Sequence, residues 1–354
     1  MSRRFIALGG GLAALALTAV LAVFIPASAP TPSVAQENSS MTTFDWVATN
    51  SAPEAYPIHL VRAELALADG GGTYIPDRRV VDHGWGRPGA THIVGDDEKA
   101  LPAVLNAVWF SYLEDTFYSV EVPLPTDVMA ALVAEGIDSP QRGTSHAYER
   151  FVFGFGPEGE GALWMSAHTN MIDVFRFRGA VADIPWTRVI DNPDIARPDL
   201  IRLVLEEALG AEAAEAALRQ GYVSGSFARL QQRFDWSLDV SGAEVVSLFK
   251  YASLNGEVFH FFDDFSPNVA RPSNGAPREI QMHWTGPAGQ GRAATIRFDA
   301  DEAIRAFETL AAEGAPMRLH VELSETANAL AVTLEAGDKI FEFERITTDI
   351  FSRS

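Results

Sequence analysis

The loop Asp82-His83-Gly84-Trp85-Gly86-Arg87 brings an imidazole, an indole and a guanidinium together within six residues. Glycine on both sides of Trp85 argues against a regular strand interior. Two uses fit such an indole. It can be an exposed binding aromatic, or it can plug the edge of a core while the glycines shape the turn. Aromatic side chains mainly supply buried area, which favours the plug. A second group is Glu114-Asp115 with Tyr118 close by. Paired carboxylates do acid–base work when their surroundings separate their pKa values. Neighbouring residues on a strand point to opposite faces, however, so a turn or a solvated hairpin end suits this pair better. His83, Trp85, Arg87, Glu114 and Tyr118 are therefore the candidate binding residues. No catalytic residue and no metal ligand is assigned.

Other polar clusters are weaker. Asp263-Asp264 lies among Phe259, Phe261, Phe262 and Phe265, but the spaced ligands of a calcium loop are absent. Asp191-Asn192-Pro193-Asp194 reads as a turn. The eight histidines include no pair at the i,i+4 spacing of a helical metal site. There is no Gly-x-Ser-x-Gly elbow, no phosphate-binding loop and no dinucleotide fingerprint. Phe153-Gly-Phe-Gly-Pro-Glu-Gly has spaced glycines without the lysine or the following helix, so it reads as a hairpin. The absence of cysteine excludes disulfides, thiol nucleophiles, zinc–thiolate sites and iron–sulfur clusters. No cofactor is expected.

The 354 residues carry a formal charge of −20. Nucleic acid is a poor partner for such a surface, because binding it needs a basic footprint. A basic protein or a cationic ligand suits it better, although the plain reading is a solvated surface. Residues 1–35 read as a targeting element. Arg3-Arg4 precedes the uncharged run from Phe5 to Ile25, then prolines and small residues follow. Ser33-Val34-Ala35 offers a cleavage site before Gln36. The competing reading is an uncleaved anchor, since the run is close to the ~20 residues that span a bilayer. Both place the rest of the chain outside the cytoplasm: in the periplasm, or on the inner membrane facing it. The membrane is expected as a partner only through this segment, if it is uncleaved.

The elements that must position these residues fall into an order that repeats. Leu101–Trp109 aligns without a gap on Ala276–Trp284, and Phe44-Asp45-Trp46 recurs as Phe234-Asp235-Trp236. Phe175 and Phe177 match Phe341 and Phe343. A repeat fixes architecture before other clues. In the first unit, residues 43–183, strands are expected over 56–67, 107–113, 117–123, 151–155, 162–167 and 173–178. A short helix capped by Thr126 or Asp127 runs to Glu135. In the second, residues 234–351, strands are expected over 279–285, 293–298, 318–323, 330–334 and 340–346. Its helix is capped by Asp299 or Asp301 and carries the stripe Ile304, Phe307, Leu310. Residues 184–233 read as a helical connector. The fold class is α+β, mostly β: two tandem, similar antiparallel-sheet units, each with one short helix.

Trp109-Phe110-Ser111 followed by Glu114, Phe117-Tyr118 and Leu124-Pro125 resembles the signature of a bacterial exported family, domain of unknown function 2931. Gly84-Trp85-Gly86, Gly154-Phe155-Gly156-Pro157-Glu158-Gly159 with Trp164, Arg233-Phe234-Asp235-Trp236 and Asn255-Gly256-Glu257 add to the resemblance, which spans most of residues 44–260. Many members are lipoproteins; this chain has no cysteine to acylate. The resemblance implies an envelope protein and carries over no catalytic residue. The expected function is non-enzymatic binding through an acidic surface, with an immunity-like factor against a basic toxin as one form. The alternatives are a glycan or small-molecule binder, with His83, Trp85 and Tyr118 near one cleft, and a hydrolase using Glu114 and Asp263 or Asp264.

Overall fold

The computed structural model describes residues 43–93, 95–139, 144–242, 245–262, 274–285, 289–324 and 329–352. Residues 1–35, read above as a targeting element, and Asp263-Asp264 lie outside these residues. The fold is mostly β with several antiparallel sheets. Its helices are α1 (Thr126–Glu135), α2 (Arg197–Leu209), α3 (Ala211–Gln220), α4 (Ser226–Leu230) and α5 (Ala300–Ala311).

In the first half, the strands Ile58–Leu67, Pro102–Ser111 and Thr116–Pro123 form a meander. Helix α1 follows. Arg150–Phe155, Glu160–Ala167 and Asn170–Arg178 then form a second meander, with Val47–Ser51 parallel to its first strand. The second half has the same pairing order. Val245–Ser253, Pro277–Thr285 and Gly291–Phe298 pair in turn. Helix α5 follows. Met317–Leu323, Leu330–Ala336 and Lys339–Glu342 come next, with Trp236–Ser241 parallel to Met317–Leu323. Ile58–Leu67 shifts register after Leu60 and after Ala66; Val245–Ser253 does so after Val246 and after Ala252.

Sheet membership differs between the halves. The first meander of the first half sits in a six-stranded sheet. Its counterpart joins a nine-stranded sheet, which runs from Val47–Ser51 through Asn170–Arg178 to Val258–Phe262 and out to Ile346–Ser352. Among the described residues, a single ladder pair, Met171 with Val258, connects the two halves of that sheet.

Two cores result. One lies between the six-stranded sheet and the strands 150–178, with Trp109, Phe151, Phe153, Leu163 and Met129 of α1 inside it. The other holds Trp284, Ile280, Leu319 and Leu334, with the Ile304, Phe307 and Leu310 stripe of α5. Trp109 donates its indole N–H to Gly156 O at 2.9 Å. The indole N–H of Trp284 is buried without an acceptor among the described residues. A third cluster covers the outer face of the six-stranded sheet: Phe110, Tyr112 and Phe117 against Ile201, Val204 and Leu205 of α2.

Several local expectations are corrected. Residues 340–346 are not one strand. Lys339–Glu342 ends early, and Ile346–Ser352 crosses to pair with Gly291–Phe298. Two pairings are parallel, because a long excursion containing a helix separates their strands. No side chain caps α1, whose N-cap is Pro125, whereas Asp299 caps α5 by accepting from Glu302 N at 2.9 Å.

Candidate functional site

The Trp85 loop is sewn onto the edge strand Val47–Ser51. Ser51 Oγ donates to Gly84 O at 3.0 Å, Thr49 Oγ1 to Ala90 O at 2.7 Å, and Gly89 N to Asn50 O at 2.9 Å. Gly86 has φ +74°, and a Cβ built there would lie 2.4 Å from Gly256 O. The loop is thus clamped on both sides, and Trp85 turns inward, 5% exposed. Its ring meets Trp164 and Phe227 edge-on at 4.8 and 4.9 Å. Its N–H donates to Gln231 Oε1 at 2.6 Å. The Arg176 guanidinium lies over both tryptophans, 5.9 Å from Trp85 and 5.5 Å from Trp164.

A cleft of about 140 Å³ opens beside this plug, lined among others by Glu54, Tyr56, Arg87, Phe227, Leu254 and Arg278. Arg278 Nη1 donates to Trp85 O at 2.9 Å, but its Nε is buried with no acceptor among the described residues. Burial, and then the charge of Arg87, pull the Arg278 guanidinium down to about 10. It remains cationic at neutral pH. The cleft therefore pairs a desolvated cation with aromatic and aliphatic walls, and Arg87 stands exposed at its rim.

The five expected residues do not share this place. Trp85 and Arg87 line the cleft. His83 is exposed, 3.7 Å from Asp82. Glu114 and Tyr118 belong to a hydrogen-bonded latch. The Glu114 carboxylate accepts from Tyr118 OH at 2.9 Å and from Glu158 N at 3.0 and 3.1 Å. The Glu158 carboxylate accepts from Ser224 Oγ, from Tyr222 OH at 3.2 Å and from Gly225 N at 3.1 Å. The Tyr118 hydroxyl is held above its ordinary pKa, first by burial and then by Glu114. Asp115 sits at φ +51° in the hairpin turn and pairs with Arg197 at 2.6 Å. The latch ties the 114–118 hairpin to the segment between α3 and α4.

An ion cluster with buried acids and partly exposed arginines stands between the halves. Asp173 pairs with Arg176 at 2.6 Å, and Arg233 pairs with Glu257 at 2.9 Å and Asp173 at 3.5 Å. Asn255 Nδ2 donates to Glu257 Oε2 at 3.0 Å, and Asn255 O accepts from Arg176 at 3.0 Å. Burial raises the Asp173 carboxyl, against the pull of Arg176. Two acids and two arginines balance here, which is how buried charges persist.

Residues 31–201 match the model of a family described as "Protein of unknown function (DUF2931)". No curated protein and no solved structure matches the chain. The DUF2931 match covers the first half and ends inside α2, so Arg233-Phe234-Asp235-Trp236 and Asn255-Gly256-Glu257 lie beyond it. Within the match, the motif residues meet one another. Trp109 bonds Gly156, Glu114 bonds Glu158, and Gly154 lies where a Cβ would strike Trp164 and Trp85. The DUF2931 motifs thus build the packing around the cleft. Arg278, the residue that gives the cleft its charge, comes from the other half. In sequence it stood inside the repeat Ala276–Trp284, opposite Ala103, with nothing local to mark it. Among the described residues, no helix is long and apolar enough to cross a membrane, and no three His, Asp or Glu side chains are grouped to hold a metal.

Proposed function

We propose that this protein is an exported binding protein of the cell envelope that takes a small carboxylate in the cleft beside Trp85. The observation that carries the reading is Arg278: a guanidinium in a cleft with a buried N–H that has no acceptor among the described residues. An unpaired buried donor is costly, and a carboxylate is the group whose geometry fits it. Arg87 adds a second cation. The volume admits one ring-sized apolar group against Tyr56, Phe227 and Leu254. The rest of the chain is acidic, so an anion gains nothing from the overall field and must be held by direct contact. Benzoate and benzamide test this by calorimetric titration. Benzoate is expected to bind the wild type, benzamide at least ~10-fold more weakly, and Arg278→Met to lose benzoate binding. No benzoate binding, or equal binding by Arg278→Met, refutes the reading. Export rests on the Arg3-Arg4 and Phe5–Ile25 pattern, and an envelope protein beginning at Gln36 on N-terminal sequencing supports it.

A second reading keeps the acidic surface for a basic protein. It is favoured by the formal charge of −20 and by the exposed edge strand Ile346–Ser352, whose Phe351 is 51% exposed. Recovery of one basic envelope protein at low salt, released at high salt, is its signature.

A further inference from the structure

On the outer face of the strands Trp236–Ser241 and Met317–Leu323, three side chains line up. Asp239 Oδ2 and His320 Nδ1 are 2.9 Å apart, and His320 Nε2 and Ser241 Oγ are 3.1 Å apart. The register explains why. Asp239 lies directly opposite His320 in the parallel pair, and Ser241 is two residues along the same strand. Residues two apart share a face, about 6.6 Å from one another. An imidazole held by Asp239 at one nitrogen spans that distance and reaches Ser241 with the other. Asp239 as acceptor fixes the proton on Nδ1, which leaves the Nε2 lone pair to accept from the serine hydroxyl.

We propose that Ser241 is an activated serine, with His320 as its base and Asp239 as the group that orients the base, and that it takes acyl groups from small esters. In the step, Ser241 Oγ bonds to the acyl carbon while its proton moves to His320 Nε2. The bond from that carbon to the leaving oxygen breaks, and the leaving oxygen takes the proton from Nε2. Water then attacks the acyl-serine by the same route, giving the free acid and restoring the hydroxyl.

The first half shows what a merely structural version of these positions looks like. Aligned on Trp46 and Trp236, Asp239 falls on Thr49, and Ser241 falls on Ser51. The partner of Thr49 in its parallel pair is Val152, where the second half has His320. Thr49 and Ser51 are completely buried, and both hydroxyls donate to the Trp85 loop. In the second half the row is reachable: the Asp239 side chain is 40% exposed and the His320 side chain 23%. The serine there donates to a base rather than to a carbonyl. This site is separate from the cleft at Trp85, and failure of either leaves the other standing.

A fluorophosphonate probe followed by peptide mass mapping tests the proposal on the full chain. A single adduct on Ser241 is expected at pH 8. Labelling should slow by about 100-fold or more in His320→Gln, and measurably in Asp239→Asn. No adduct on wild-type Ser241, or equal labelling of wild type and His320→Gln, overturns it.

Discussion

Gly86 shows how tightly single residues set the region around the cleft. Its φ of +74° already disfavours a side chain, and a Cβ there would meet the Gly256 backbone at 2.4 to 2.8 Å. A backbone neighbour cannot swing aside as a flexible side chain can. Gly86→Ala should therefore lose about 3 kcal/mol or more in urea unfolding, since strain and overlap add. Gly95→Ala, also at positive φ but with open space around it, should cost only about 1 kcal/mol. Equal losses for the two would show that the packing against Gly256 is not what matters. Glu257, buried and facing Arg233, gives a contrasting case. Arg233→Met strands the buried Glu257 carboxylate and should cost roughly 3–5 kcal/mol. Removing both partners in Arg233→Met/Glu257→Met should cost less than Arg233→Met alone. At this scale the sequence was partly legible. Glycines flanking Trp85 signalled a turn around a plug, and the ring is indeed buried. Arg278 was silent, because its meaning depends on a cleft walled by residues some 200 positions away. Asp239, Ser241 and His320 were silent for the same reason: only strand register brings them together.

At the scale of elements, periodicity was the readable signal. The α5 stripe stood out because Ile304, Phe307 and Leu310 recur at helical spacing, and all three are buried. The break between Glu342 and Ile346 did not stand out, because both pieces fit one alternating pattern and only pairing separates them. The α2–α3 layer over the six-stranded sheet makes an argument of its own. On the same sheet His59 is buried beside Tyr112, and burial pulls its imidazole from 6.5 to about 4. The folded state thus resists the proton that the unfolded state accepts. Stability from this group is complete above pH 6.5 and is lost as the pH falls toward 4, about 3 kcal/mol at most. Unfolding free energies at pH 7 and pH 4.5 should differ less in His59→Leu than in the wild type. An unchanged difference would show that His59 is not shielded in the folded state. Leu205, fully buried on the face of α2 that meets the sheet, should cost about 2–5 kcal/mol when cut to alanine.

Across the whole molecule, two cores share one nine-stranded sheet but are joined in it, among the described residues, by a single ladder pair, Met171 with Val258. So weak a seam cannot by itself make the halves unfold together. The stronger coupling runs through Trp85. This residue of the first half packs on Trp164, bonds Gln231 of the connecting segment, and accepts from Arg278 of the second half. Its backbone neighbour Gly86 lies against Gly256, and Arg176 beneath it reaches Asn255. Cooperativity between two cores requires that opening one removes contacts the other depends on. Trp85 is the side chain placed to impose that. Trp85→Ala leaves a cavity where three segments meet and should destabilise the protein by about 3–5 kcal/mol. It should also uncouple the halves, so that calorimetry shows one transition for the wild type and two for the variant. A single, merely lowered transition in the variant would mean that the ion cluster of Asp173, Arg176, Arg233 and Glu257 suffices to hold the halves together.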